Sequence, residues 1–161
     1  MFKATSEQAT VRPFMQGPRE ARPPPARTRR TPAARVAMVQ GAYCLAAGLW
    51  PVLSLRTFMR ATGPKLEGWL TKGVGVCLLN IGVALGAAGA RGRVARELRV
   101  LGASTALSFA AMDFWYAGVR RRISRVYLVT GFTQLGFVAA WAYAAWRESR
   151  DANRLPEAAF A

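Results

Sequence analysis

Residues 69–90, WLTKGVGVCLLNIGVALGAAGA, form an apolar run of about 22 residues with one charge, Lys72, near its start. An α-helix rises about 1.5 Å per residue, so this run would measure roughly 33 Å, against a bilayer hydrocarbon core of about 30 Å. Gly75, Gly82, Gly86 and Gly89 recur at steps of seven, four and three, which sets them in one narrow stripe of such a helix. Glycine weakens a helix in water, but in lipid it lets a neighbouring backbone come close. This one stretch therefore directs the chain to a membrane and gives it a packing surface.

The rest of the chain fits that constraint. Three further apolar runs, at about 36–55, 100–119 and 126–146, are joined by short basic connections, and no internal repeat relates them. None has the continuous polar face that a helix in a water-soluble bundle needs. The expected fold is all-α: a four-helix transmembrane bundle over 36–147 with a disordered basic N-terminal tail, 1–35, and a short polar C-terminal tail, 148–161. The first tail carries eight Lys or Arg, two Glu and six of the nine prolines, too little apolar surface to order itself. Thr28-Arg29-Arg30 resembles a twin-arginine signal, but Pro32 and Ala33 stand where large apolar residues belong, and no convincing small-residue cleavage site follows. An uncleaved tail resting on the membrane surface is expected.

Hydrophobic residues make up 52 % of the chain, and the net charge is +15. The basic residues lie between and outside the apolar runs rather than along one helical face, which argues against nucleic acid as a partner. The lipid bilayer and its anionic headgroups are the simpler partners, since each Lys or Arg near the surface contributes about 1 kcal/mol. With four spans, 15 Lys or Arg outside the spans fall on the side of the termini and 7 on the other, so both termini are expected in the cytoplasm of a bacterial cell, at its plasma membrane. Arg120-Arg121-Arg122 on the outer side run against this count.

Histidine is absent, which excludes histidine-ligated haem, most zinc sites and imidazole-based catalysis. Cys44 and Cys77, the only cysteines, sit mid-span and read as inert thiols. No phosphate loop, metal-spaced cysteine pair or acid/base carboxylate pair occurs, so no catalytic, cofactor or metal residue is assigned and no cofactor is expected.

Candidate chemistry rests on the ionisable residues inside the spans, Lys72 and Asp113, which are costly in hydrocarbon and functional candidates by default. Antiparallel packing of successive helices would put both in the outer half of the membrane. Gly102, Ala106 and Ala110 recur every four residues, and Asp113 and Ala117 continue that face, so the carboxyl should point at protein rather than lipid. Either Lys72 pairs with Asp113, or Lys72 snorkels to headgroups while Asp113 turns to Arg120 or Arg121. Tyr127, Thr130 and Gln134 share a face of the fourth run, and could line a polar pocket with Asp113 or simply bond neighbouring helices.

Trp50-Pro51, Ser54, Phe58, Thr62-Gly63-Pro64-Lys65 and Trp69-Leu70, with Ile123 to Leu128 before the last run, resemble a pattern in a group of small bacterial four-span membrane proteins without assigned activity. The resemblance covers about residues 38–146. It implies the four-span fold and transfers no function. Members of that group often carry acids early in the last span, where this chain has Thr130 and Gln134. The functional expectation is a structural or accessory protein that binds other membrane proteins, or itself, through its glycine and alanine faces. The alternative is a small dimeric transporter or permease built on the polar site around Asp113. The missing histidine argues against an enzyme.

Overall fold

The computed structural model describes residues 30–154 apart from Lys65 and Arg122. The first tail up to residue 29 and the last residues, 155–161, lie outside the described residues, and with them most of what the tails were expected to be. Helices α1 (Pro32–Leu53), α2 (Leu55–Thr62), α3 (Gly68–Ala90), α4 (Arg96–Asp113) and α5 (Val126–Arg154) follow in order, and α4 runs on into π-helical turns, Phe114–Val119. No strand occurs among the described residues. The all-helical class stands. Among the described residues there are five helices, because the connection between the first two spans is itself partly helical.

Three helices, α1, α3 and α5, are long and apolar enough to cross a membrane by length and composition. The fourth long helix, α4, is less apolar, since Arg96, Glu97 and Arg99 occupy its first turn and Asp113 its last. Val39, Val83, Leu107, Val129 and Phe132 are exposed on the outside of the long helices. Such a coat of large apolar side chains fits lipid rather than water.

The first helix starts at Pro32, earlier than the apolar pattern suggests, for three local reasons. Proline suits the first turn because its missing N–H costs nothing there. The Thr31 hydroxyl accepts the Ala34 N–H at 3.2 Å. Glu148 of α5 accepts the Ala33 N–H at 3.4 Å through Oε1, and its other oxygen pairs with Arg99 of α4. One carboxylate thus supplies the negative charge that the first turn of α1 lacks and ties together the ends of three helices.

The short helix α2 stands where only a short basic connection was expected. Leu55, Phe58 and Thr62 fall on one side of it, and Arg56 and Arg60 are exposed on the other. Ser54 is its cap, accepting the Thr57 N–H at 3.5 Å. The Trp50 indole N–H donates to the Thr57 hydroxyl at 3.0 Å, and the Trp50 and Phe58 rings meet edge to face at 5.7 Å. Thr62-Gly63-Pro64 marks the end of α2, with Gly63 at φ +93°.

Two helix pairs make the body: α1 packs most extensively on α3, and α4 on α5. Between α1 and α3 glycine meets glycine. A methyl group on Gly48 would lie 2.5 Å from the Gly75 carbonyl oxygen, and one on Gly75 would lie 2.8 Å from that of Gly48. One on Gly82 would sit 2.9 Å from the Gly41 oxygen, and one on Gly89 2.7 Å from that of Ala34. Gly75, Gly82 and Gly89 therefore form the seam. Gly86 is different: a methyl there would meet nothing within 4 Å, although its own nitrogen bounds the space beside Gly41.

Candidate functional site

The α4–α5 pair positions Asp113. The expected face is kept: Gly102, Ala106, Ala110, Asp113 and Ala117 are all buried, and Asp113 is 7 % exposed. The π-helical turns begin one residue later and carry Ala117 to the same side. On α5, Gly131 makes room for the acid, since a methyl on it would lie 3.2 Å from the Asp113 Cβ. The Thr130 hydroxyl reaches Asp113 Oδ2 at 2.6 Å and the Tyr127 carbonyl oxygen at 2.9 Å. A single hydroxyl hydrogen faces both acceptors, so Thr130 is held between its own helix and the acid of its neighbour.

Lys72 is not part of this arrangement. It is exposed on α3, and among the described residues the one ion pair is Arg99 with Glu148. The reason is the pairing of helices: α3 spends its contact surface on α1 and barely touches α4. Arg120, the other expected partner, lies over the Trp115 ring at 5.8 Å. Replacing Lys72 by methionine should therefore move the melting temperature of the detergent-solubilised protein by no more than about 2 °C, the range of a surface change. A clearly larger drop would restore the ion pair between Lys72 and Asp113.

Gln134 is 5 % exposed, and its Oε1 has no hydrogen-bond donor among the described residues. It lies one turn beyond Thr130, and so extends the buried polar row without joining the bond to Asp113. The residues expected to form one pocket thus divide into a bonded pair, Asp113 with Thr130, a buried neighbour, Gln134, and a detached Lys72.

Beside Thr130 the helices enclose a half-open crevice of about 370 Å³. Ala47, Trp50 and Pro51 of α1 form one wall, and Leu70, Val74 and Leu78 of α3 another. Phe58 and Thr62 of α2 cover one end, while Phe109 of α4 and Tyr127 and Thr130 of α5 close the far side. The lining is almost wholly apolar, and Asp113 lies behind Thr130 rather than at the surface of the crevice. Sequence reasoning found Tyr127 and Thr130 here but not the crevice. A short helix folding back over the end of α1 was needed to enclose it.

A second polar node went unnoticed as a unit. Gln40 of α1 is fully buried; its Nε2 donates to the Gly102 carbonyl at 2.8 Å, and its Oε1 accepts the Trp141 indole N–H at 2.6 Å. One side chain thereby joins α1, α4 and α5. Gln40 is the one strongly polar residue of the first apolar run, but its partners lie 62 and 101 residues away.

No family model, no curated protein and no solved structure matches the chain.

Proposed function

We propose that the chain is a four-span protein of a bacterial plasma membrane that binds a small lipid-soluble molecule in its outer crevice and, as a dimer, carries it across the membrane. In this reading α4 with its π-helical turns is the fourth span. The observation that supports it is the crevice itself: an apolar space open to the side, ending at a hydroxyl held by a buried acid. An acid within a span is retained where it serves substrate or ion movement. A dimer is invoked because four short helices enclose little space.

The accessory reading, in which glycine and alanine faces bind other membrane helices, has less support. Gly75, Gly82 and Gly89 are covered by α1, and Gly102, Ala106 and Ala110 are buried within the chain. The glycines left facing open space on the long helices are Gly73, Gly86 and Gly136. Proteoliposome uptake of a panel of lipid-soluble dyes tests the transport reading, with Asp113→Asn and a crevice-filling Leu78→Trp as controls. Uptake above protein-free vesicles that falls in both variants is expected. Uptake no greater than that of protein-free vesicles would end it.

The same proposal places both termini in the cytoplasm, from the asymmetry of basic residues outside the spans. A periplasmically active enzyme fused after Arg121 should be active, and the same enzyme fused after Arg93 should be silent. The opposite pattern inverts the orientation.

A further inference from the structure

Resting on the crevice reading above, we infer that the crevice selects an uncharged amphiphile whose head carries a hydrogen-bond donor, such as the hydroxyl of a long-chain alcohol or a monoacylglycerol.

Charge comes first. None of the described residues lining the crevice is charged, and an ion drawn into so apolar a space would lose its hydration without a partner. Anionic headgroups and carboxylates are therefore poor occupants, whatever their chains could bury.

The hydrogen-bond inventory narrows the class further. The Thr62 hydroxyl donates to the Phe58 carbonyl at 2.9 Å, and the Thr71 hydroxyl to the Glu67 carbonyl at 3.2 Å. Thr130 gives its hydrogen to Asp113 or to the Tyr127 carbonyl. The Trp50 indole N–H is already directed to Thr57. Tyr127, the remaining hydroxyl of the lining, is engaged in an interaction of its own. What the three threonine hydroxyls still offer is oxygen lone pairs.

Pro51 adds a further acceptor. It lies inside α1 and has no N–H for the carbonyl of Ala47, one turn earlier. Ala47 and Pro51 both line the crevice. A carbonyl that has lost its helical donor in apolar surroundings gains most from a donor brought by a ligand. A hydroxyl or amide N–H satisfies it, and an ether of the same length does not.

The test uses the full chain in phosphatidylcholine nanodiscs, with a hexadecanol carrying a diazirine on its chain and the methyl ether of the same probe. After photolysis the adducts are mapped by mass spectrometry. The alcohol should label segments 47–58 and 70–78 about fivefold more than the ether, the value of one net hydrogen bond. Pro51→Ala restores an N–H to the Ala47 carbonyl, so it should bring the ratio near one while the ether still labels. Leu78→Trp fills the crevice and should remove both signals, which covers the case of a Pro51 variant that does not fold. Equal labelling by alcohol and ether in the unaltered chain, or an unchanged ratio in Pro51→Ala, overturns the inference and leaves the crevice reading standing. Labelling of neither segment by either probe overturns both.

Discussion

Gly48→Ala should destabilise the protein by about 3 kcal/mol, the upper end of the range for forcing a methyl group into a packed interior. The added carbon would lie 2.5 Å from the Gly75 carbonyl oxygen and 3.0 Å from the Leu79 nitrogen, so backbone, not a flexible side chain, must yield. Gly75→Ala meets the Gly48 carbonyl from the other side and should cost nearly as much. Gly86→Ala is the control. It meets nothing within 4 Å and exchanges glycine for the better helix former, so its effect should be neutral or a gain of up to about 1 kcal/mol. Unfolding of the purified protein in mixed detergent micelles, followed by circular dichroism, measures all three. Equal losses for Gly75→Ala and Gly86→Ala would mean that α3 meets α1 by a different face.

That contrast shows what could be read from the chain and what could not. Gly75, Gly82 and Gly89 are spaced by seven, almost two full turns, so their alignment is a property of any α-helix. Gly86 is four residues beyond Gly82 and about 40° round the helix, enough to turn its Cβ direction away from α1 while its backbone still lies beside Gly41. The stripe was legible, but its width was not. Its partner was harder to see, because Gly41 and Gly48 sit in a span without other glycines and gain meaning only against α3. Their spacing of seven was the available signal. Likewise the depth of Lys72 and Asp113 can be counted from the ends of their spans, whereas whether they meet depends on which helices pair. Here α3 pairs with α1 and α4 with α5, which separates them. Asp113 toward Thr130 was legible because the Gly102–Ala106–Ala110 row fixes the direction of that face. α2 was not, since eight residues are too few to show a period and its two arginines read as part of a basic connection.

Gln40→Leu should cost about 2–3 kcal/mol and should do so through Trp141. A hydrogen bond between membrane helices averages only about 0.6 kcal/mol, because a polar group released into the bundle finds another partner. Gln40 lacks that escape: it is fully buried, and leucine in its place takes the acceptor away from the buried Trp141 N–H. The expected loss is therefore that of an unsatisfied buried donor together with one interhelical bond. Trp141→Phe strands the amide from the other side and should cost a similar amount. In the double variant neither group remains to be stranded, so its loss should fall short of the sum of the two by at least about 1 kcal/mol. Gly102 belongs to the same node, since a methyl on it would lie 3.0 Å from Gln40 Oε1 and 2.9 Å from the Trp141 ring, and Gly102→Ala should couple to Gln40→Leu in the same sense. Strictly additive losses would make Gln40 a space-filling residue. Non-additive ones would make it the tie that holds α4 and α5 against α1 at the level of Gln40, while the helices stay parted around the crevice.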